Sequence, residues 1–369
     1  MKKYFNPVRI IFGQNKFKKI TELLKKKKYI VITHKNITTR YATELRNSNN
    51  PPLEIIKNIN PNPDYSHLLS LQEKFSTLEK EIDYIVAIGG GSVIDTAKVL
   101  AAFKSNKKYL EDFIRIKKKP IVKNTLKIVA IPTTSGSSSE LTCWATIWDY
   151  EKKSKYSLSH ETLYPRIAIF DPLLTITKTK KLTISTGLDA LSHSLESIWN
   201  INANPISSSY AISAAKLIIN NLPLLINDLK NIKLRSSMVK ACIKAGLAFS
   251  NTKTAIAHNL SYPITLEFGI QHGIASSFSL PFILRSLIDT NEVVEKNLKE
   301  IFGENLVKGS KELSQFLKKL GVPQNLNELK IDNNKWNQIV DQAFAGERGK
   351  NFVGNKKSFT HALNLFNFL

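Results

Sequence analysis

Four residues have the types and the spacing of a metal site: Asp189, His193, His258 and His272. Asp189 and His193 lie four residues apart in an apolar-periodic stretch without proline, which predicts a helix with both side chains on one face. Around His258 and His272, Pro263, Gly269 and Gly273 predict a helix, a break and a second element. One carboxylate and three imidazoles with a vacant position suit a divalent ion that acts as a Lewis acid.

Each histidine also has an ordinary structural explanation. A single histidine on an apolar face is more often a hydrogen-bonded core residue than a metal ligand. The chain has seven histidines, and three of the four in its helical half, His193, His258 and His272, accompany an acidic residue at helical spacing from the first of them. The set therefore favours a metal site, while a core role for any one member stays open.

A glycine turn follows an apolar run in the first half of the chain. Residues 84–88 predict a buried strand, and Gly89-Gly-Gly-Ser-Val-Ile-Asp-Thr-Ala-Lys98 then leads into an alanine-rich helical stretch. Glycines let the backbone approach a pyrophosphate, and free N–H groups at a helix start favour an anion. The candidate cofactor-binding residues here are Gly89, Gly90, Gly91, Ser92, Asp95 and Lys98. The run matches neither the spaced dinucleotide fingerprint nor a P-loop, so a plain tight turn is the alternative.

A hydroxyl-rich loop follows a second predicted strand, residues 127–132. The loop, residues 133–140, offers Thr133, Thr134 and Ser137 as contacts for phosphates, ribose or a nicotinamide amide. Loops of this composition are usually solvated linkers. Here the apolar segment 141–148 on the other side indicates that the loop is held in place.

The coarse pattern divides the chain near residue 178. Before it, apolar β-rich runs alternate with helical stretches, as in an open parallel sheet; beyond it the pattern is helical. We therefore predict an α/β dinucleotide-binding domain over 1–178 and an all-α metal-binding domain over 179–369. A length of 369 residues with 42% hydrophobic content is sufficient for two cores.

The high net positive charge of the chain is compatible with a second class of protein. A formal charge of +23, with lysine runs at 25–28 and 117–119, is compatible with a nucleic-acid or membrane-surface protein. The runs lack the interleaved aromatic residues of single-strand binders, and no segment has the length of a membrane span or the pattern of a secretory signal. Two distant cysteines offer no disulfide framework. We expect a cytoplasmic protein with no nucleic-acid or membrane partner, and a homo-oligomer stays open.

These motifs together resemble the iron-containing alcohol dehydrogenase family. The resemblance rests, in chain order, on GGGSVIDTAK, IPTTSGSSSE, FDPLLT, GLDALSHSLES and the pair His258 and His272, and it spans most of the chain. Within the family, residues 197–206 and 249–263 are most similar to the phosphonoacetaldehyde reductases.

The resemblance implies a dehydroquinate synthase-like fold and a reductase activity. It implies that Asp189, His193, His258 and His272 bind Fe²⁺, Zn²⁺ or another divalent ion, and that the glycine turn and the Thr133-Thr134 loop hold NAD(P)H. The expected reaction is reduction of phosphonoacetaldehyde to 2-hydroxyethylphosphonate in phosphonate biosynthesis. The alternative is an uncharged short-chain aldehyde or alcohol as substrate. A sugar-phosphate lyase or dehydrogenase fits these motifs less well, and a non-catalytic basic binding protein would leave the ligand set unexplained.

Three positions depart from the family pattern. Many members have a further histidine four residues beyond the third ligand, where this chain has Tyr262; Tyr262 or a water would then relay the proton. Ser138 replaces a glycine, which matters if the backbone there needs a positive φ. NAD-preferring relatives often place an aspartate after the strand at 29–33, whereas His34 and Lys35 stand here. Nothing acidic excludes NADPH, so the choice of NADH or NADPH stays open and NADPH is slightly favoured.

A phosphonate substrate needs cationic or N–H donors near the metal. Lys253 and Arg348 are the candidates, and arginine offers the better fork for a tetrahedral anion. For each of them, a solvated surface charge is the alternative.

Overall fold

The chain divides into two compact units. One unit comprises Pro7–Thr177, and the other comprises Lys178–Leu369 together with Met1–Asn6. The computed structural model describes residues 3–34, 39–116, 122, 125–152, 154–366 and 368. Lys35 and the lysine run at 117–119 therefore lie outside the described residues.

The first unit is built on a six-stranded sheet whose strand pairs are all parallel. Its strands are β1 (Arg9–Phe12), β2 (Tyr29–Thr33), β3 (Glu54–Ile56), β4 (Tyr84–Gly89), β5 (Lys127–Pro132) and β8 (Ile167–Phe170), in the order β1-β8-β5-β4-β2-β3. The predicted parallel α/β sheet is confirmed. The sheet also contains β1, which precedes the strand at 29–33 that the sequence pattern indicated first.

Five helices and a hairpin complete this unit in its described part. The helices are α1 (Lys19–Leu23), α2 (Thr39–Arg46), α3 (Tyr65–Phe75), α4 (Gly91–Phe103) and α5 (Lys107–Arg115), and the antiparallel hairpin consists of β6 (Trp144–Asp149) and β7 (Ser154–Ser159). Successive strand side chains point to opposite faces: Ile85 packs in one apolar cluster and Val86 in another. Because both faces are covered, β2 is buried along its whole length, which explains its continuous apolar sequence.

The second unit is helical, as predicted. Its helices are α6 (Lys180–Ile198), α7 (Pro205–Leu225), α8 (Ile232–Thr252), α9 (Ile256–Phe268), α10 (His272–Ser277), α11 (Leu280–Ser286), α12 (Glu292–Phe302), α13 (Leu306–Lys319), α14 (Leu326–Leu329), α15 (Asn333–Ala345) and α16 (Lys356–Leu365). One apolar cluster, which includes Trp199 and Trp336, forms its core. No helix within the described ranges is long and apolar enough to cross a bilayer.

Candidate metal centre and nucleotide-binding turn

Helix α6 carries two of the four predicted metal ligands. The side chain of Thr179 caps its start by accepting a hydrogen bond from the Leu182 N–H (3.3 Å), and the helix continues unbroken past Asp189 and His193. The Nε2 atom of His193 lies 3.9 Å from Oδ1 of Asp189. The helical spacing therefore places both side chains on the same face, and both are buried.

The other two histidines come from α9 and α10. Helix α9 continues through Pro263 and ends at Gly269, whose φ of 68° is left-handed, so the break between the helices lies later than the proline. His272 then begins α10. A Cβ atom on Gly273 would lie 1.8 Å from the carbonyl oxygen of Ser185, so only glycine lets α10 approach the backbone of α6 this closely.

The histidines converge on one carboxylate oxygen. The Nε2 atoms of His258 and His272 lie 3.4 Å and 3.7 Å from Oδ1 of Asp189. These three residues offer ligand atoms that all lie within 4.8 Å of one another. Ligand atoms about 2.1 Å from a tetrahedral metal ion are about 3.4 Å apart, so the spacing fits a single ion. His193 lies beside this group with its ring stacked on His258 (4.6 Å between centroids).

Two buried atoms of this cluster, Asp189 Oδ1 and His258 Nε2, face each other with lone pairs that a cation would stabilise. Asp189 Oδ1 and His258 Nε2 are buried, and neither has a hydrogen-bond partner within the described part of the chain. His258 Nδ1 lies 2.6 Å from Oε2 of Glu196, a carboxylate that can only accept when ionised, so the imidazole proton belongs on Nδ1. Nε2 then presents a lone pair to Asp189, and only a cation between the two atoms relieves the repulsion. A divalent metal ion fits this donor set.

Glu196 is the residue that the sequence analysis missed. It lies on α6 three residues beyond His193, is fully buried, and also accepts the backbone N–H of His258 (3.1 Å). Carboxylates that hold the second nitrogen of a metal-binding histidine fix its orientation and increase its basicity. Its position seven residues after Asp189, on the same helical face, was the available signal.

The charge balance of the cluster also favours a cation. Burial alone would raise the pKa of Asp189, but the charge of His193 holds it well below its usual range. Burial alone would lower the pKa of His258, whereas the Glu196 carboxylate raises it above its ordinary value. Both shifts favour negative charge on Asp189 and positive charge in the space beside it, which suits a bound cation.

His272 forms the more open side of the centre. Its side chain is 31% exposed, against 2% for that of His258. Its Nδ1 lies 3.4 Å from Ser261 Oγ, a contact that leaves Nε2 directed to Asp189. Of the four predicted ligands, His272 is therefore the one most accessible to solvent.

Tyr262 and Arg348 meet beside this open side. The Tyr262 ring stacks on His272 (6.0 Å between centroids, 7° between planes), and Arg348 Nη1 donates a hydrogen bond to Tyr262 Oη. Burial raises the pKa of Tyr262, and the charge of Arg348 opposes that shift. Lys253, the other predicted cation, has an exposed side chain, and its carbonyl oxygen accepts a hydrogen bond from Asn200 Nδ2 (3.2 Å). Of the two predicted cationic side chains, Arg348 is thus the one that contacts a neighbour of a candidate metal ligand, since Tyr262 stacks on His272.

The glycine turn lies at the carboxyl end of β4. A Cβ atom on Gly89 would lie 2.4 Å from Val93 Cγ2, and one on Gly91 would lie 2.6 Å from Ser137 Oγ. A Cβ on Gly90 would meet Thr134 Oγ1 at 3.3 Å. Gly89 therefore allows α4 to pack on β4, while Gly90 and Gly91 allow the hydroxyl-rich loop to lie against the turn.

Both predicted nucleotide motifs lie at one edge of the parallel sheet. Gly89 pairs with Pro132, and the Thr133 N–H donates to the Gly89 carbonyl (2.9 Å). His34 directly follows β2, whose last residue, Thr33, pairs with Ile88 on β4. Carboxyl ends of parallel strands are the usual place for ligands in open α/β sheets, so His34, the turn and the loop are suitably placed.

Three polar residues of the turn and α4 contact neighbouring segments of the same unit. Ser92 Oγ accepts the Asn62 N–H (3.0 Å), and Asp95 Oδ2 accepts the Thr146 N–H (2.9 Å). Lys98 Nζ donates to Thr142 Oγ1 (3.1 Å) and to the Trp144 carbonyl (2.7 Å). Burial lowers the pKa of Lys98 to about 8, against the opposing effect of Asp95. These contacts tie the segment after the hydroxyl-rich loop to α4, and direct cofactor contacts by the three side chains stay a prediction.

The chain is similar to known proteins over most of its length. The model of the iron-containing alcohol dehydrogenases matches residues 7–172, and that of the C-terminal part of the Fe-containing alcohol dehydrogenase family matches residues 183–363. The NAD-dependent methanol dehydrogenase of Bacillus methanolicus is 29% identical over 362 residues, which cover 93% of each chain. The NADPH-dependent butanol dehydrogenase of Clostridium saccharobutylicum is 30% identical over 300 residues, 78% of this chain and 76% of the relative.

A solved structure matches the whole chain. The sulfoacetaldehyde reductase from Bifidobacterium kashiwanohense, determined in complex with NAD⁺, superposes with a TM-score of 0.90 at 26% identity. The match covers 100% of this chain and 98% of that protein.

Proposed function

Since the chain belongs to the iron-containing alcohol dehydrogenase family, we propose that it reduces phosphonoacetaldehyde to 2-hydroxyethylphosphonate with NAD(P)H. The coarser part of this statement follows from the family: the chain is an NAD(P)-dependent oxidoreductase that acts on small alcohols or aldehydes. The identity of the aldehyde is the proposal.

The position of Arg348 carries the proposal. Its guanidinium group contacts Tyr262, which stacks on the candidate ligand His272. An uncharged alcohol forms no ion pair with an arginine at this position. A phosphonate, in contrast, accepts two parallel hydrogen bonds from the guanidinium group. In phosphonoacetaldehyde one methylene group separates the carbonyl group from the phosphonate, so the proposal requires that one short molecule contact both the metal and Arg348.

Sulfoacetaldehyde is the second candidate substrate. A matched structure is that of a sulfoacetaldehyde reductase, and sulfoacetaldehyde has the same two-carbon frame with a tetrahedral sulfonate in place of the phosphonate. The phosphonate is a dianion near neutral pH and gains more from an arginine than the sulfonate monoanion does.

In the proposed mechanism, the helical unit holds the metal through four side chains. Asp189, His193, His258 and His272 would bind a ferrous or similar ion, which supplies a Lewis acid that polarises the aldehyde oxygen. Glu196 keeps the proton on Nδ1 of His258, so that Nε2 stays available as a ligand.

The α/β unit would hold the cofactor, which supplies the hydride when bound. N–H groups at the start of α4 (Gly90, Gly91 and Ser92) would bind the pyrophosphate, as helix starts do. Thr133, Thr134 and Ser137 would contact it from the adjoining loop, and His34 would accommodate a 2′-phosphate. Asp95 and Lys98 would act by holding α4 and the segment after the loop together.

The test is a comparison of aldehydes with the iron-loaded protein. Oxidation of NADPH and NADH would be followed with phosphonoacetaldehyde, sulfoacetaldehyde and butyraldehyde, with Asp189→Ala as the inactive variant and exposed His361→Ala as its control. We expect a kcat/KM for phosphonoacetaldehyde about 100-fold above that for butyraldehyde, because a charge-assisted pair is lost with the uncharged substrate.

Each other outcome has a definite meaning. A preference for sulfoacetaldehyde would transfer the proposal to the second candidate. A preference for butyraldehyde would leave the family in place and remove the anionic substrate. Activity that survives Asp189→Ala would overturn the assigned metal centre.

A further inference from the structure

We infer that Thr254 and Tyr262 are specificity-determining residues that hold the Arg348 guanidinium in position to bind the anionic group of the substrate. This inference rests on the proposed function and deepens it. Neither residue would contact the reacting carbonyl group in this role, so both are positioning residues. For Tyr262, the inference assigns a task other than the proton relay expected from the sequence.

The hydrogen bonds of Arg348 leave one edge of the guanidinium group for a ligand. Nη1 donates to Thr254 Oγ1 (2.6 Å) and to Tyr262 Oη. Over the described residues, the hydrogen bonds of this guanidinium are confined to Nη1, and no carboxylate forms a salt bridge with it. Nε and Nη2 are the parallel donor pair that matches two oxygens of a tetrahedral anion. The protein thus holds Nη1 and leaves Nε, Nη2 and the positive charge available to an anion.

The loop that carries Arg348 is fitted closely against other segments. A Cβ on Gly349 would lie 2.1 Å from the Ala343 carbonyl oxygen, and one on Gly346 would lie 2.5 Å from Asn259 Nδ2. Asn259 Nδ2 in turn donates to the Ala343 carbonyl (2.6 Å). Gly349 thus packs on the backbone at the end of α15 where a side chain would not fit, and Gly346 packs on a side chain of α9.

A further hydrogen bond joins this loop to the residue that holds the arginine. Asn351 Nδ2 donates to the carbonyl of Thr254 (2.9 Å), while the hydroxyl of Thr254 accepts from Arg348. Thr254 therefore fixes both the loop backbone and the guanidinium group, and it is buried. An arginine with this much support pays little conformational entropy when it binds an anion.

The support also places the arginine against a ring that stacks on a candidate metal ligand. The guanidinium carbon of Arg348 lies 5.1 Å from the centre of the Tyr262 ring, and this ring stacks on His272 at 6.0 Å. Tyr262 is thus the spacer between the candidate metal ligand and the candidate anion site. A substrate that binds both must have its anionic group at the end opposite the carbonyl group.

The experiment removes the two hydroxyl groups and leaves the shapes nearly unchanged. Tyr262→Phe and Thr254→Val would be compared with Thr254→Ser, which keeps the hydroxyl, and with Tyr4→Phe, which removes a hydroxyl bonded to the Leu247 carbonyl. The readouts are KM and kcat for phosphonoacetaldehyde and butyraldehyde, and the calorimetric affinity of the iron-loaded protein for methylphosphonate, an unreactive anion. Circular dichroism and bound iron would verify folding.

We expect Tyr262→Phe and Thr254→Val to weaken methylphosphonate binding about tenfold, since each removes a hydrogen bond to a charged group. The KM for phosphonoacetaldehyde should rise by a similar factor, and its preference over butyraldehyde should fall accordingly. Thr254→Ser should restore most of the affinity, and Tyr4→Phe should match the parent protein.

Two results would overturn the inference. If Tyr262→Phe lowers kcat equally for both aldehydes and leaves methylphosphonate affinity unchanged, Tyr262 acts in proton transfer. If Thr254→Ser is as defective as Thr254→Val, the hydroxyl does not matter. A parent protein that prefers butyraldehyde would defeat the proposed function by itself; a tenfold loss of methylphosphonate affinity in the variants would then still support the anion site.

Discussion

The two units of the chain build their candidate sites from different parts of their residues. In the helical unit, the candidate metal centre consists of side chains: the Asp189 carboxylate and the His258 and His272 imidazoles, with His193 stacked on His258 and Glu196 behind it. In the α/β unit, the nucleotide turn consists of backbone N–H groups and of positions where a side chain is missing, such as Gly91. The first site depends on the ligand atoms of its side chains. The second depends on the space that remains where glycines have no side chain.

This difference determines which kind of substitution should reduce binding at each site. In the helical unit, removing or neutralising a polar group should reduce binding even when the shape is kept. In the α/β unit, adding a single methyl group should do so even though no polar group is lost. The difference can be tested by shape-conserving changes in one unit and by methyl additions in the other.

The largest effect is expected for Glu196→Gln in the helical unit. The amide keeps the shape but removes the charge that fixes the His258 tautomer, and such changes typically weaken metal affinity by about 10–100-fold. Iron or zinc affinity would be measured by competition with a chelator. Glu292→Gln, on exposed α12, is the matched control and should bind metal like the parent protein. Parental affinity in Glu196→Gln would mean that polar identity behind the ligands is unimportant.

A smaller effect is expected for Gly91→Ala in the α/β unit. The added Cβ would lie 2.6 Å from Ser137 Oγ and 2.8 Å from Ser137 Cβ, so the loop must shift. Overpacking of this kind costs about 1–3 kcal/mol, which corresponds to roughly tenfold or more in NAD(P)H affinity. Fluorescence titration would measure the affinity, and bound metal should stay at the parental level.

The double variant Gly91→Ala with Ser137→Gly tests the cause of that loss. Removing the Ser137 side chain removes both close contacts, so the double variant should bind the nucleotide better than Gly91→Ala alone. If the two losses simply add, the clash is not the reason, and the contrast between the two units would be weakened.

Local spacing made much of this arrangement predictable. The positions of Asp189 and His193 follow from the helical period alone, and the strand, glycine turn and helix around Gly89 follow from an apolar run that ends in glycines. The requirement for a positive φ at Ser138 was recognisable from the glycine that it replaces in the family pattern.

Other features depend on contacts between distant segments and could not be predicted. Tyr262 and Arg348 are 86 residues apart, and nothing in either local sequence indicates their hydrogen bond. Lys98 has the type of a phosphate ligand, but its burial beside Thr142 is set by the packing of α4 on the segment before β6. Pro263 suggested a break, yet α9 continues through it because its other residues pack in the helical core.

The smallest effect concerns the backbone of the α/β unit. Ser138 has φ 51° and ψ 24°, a left-handed conformation that costs about 1–2 kcal/mol for residues other than glycine. Ser138→Gly removes that strain, but it adds chain entropy to the unfolded state and loses the long hydrogen bond from the buried Ser138 Oγ to the Gly136 carbonyl (3.3 Å), so we expect a net gain of no more than about 0.5 kcal/mol in the free energy of unfolding. Urea denaturation would measure it. Ser139→Gly, one residue further in a short 3₁₀ helix, makes the same chemical change without left-handed strain and should not stabilise the protein. Equal effects at the two positions would show that strain at Ser138 is not the cause. A gain at Ser138 alone would show that the fold of the α/β unit imposes a strained backbone on this loop, whereas the helical unit orients His258, a candidate metal ligand, by a side-chain hydrogen bond.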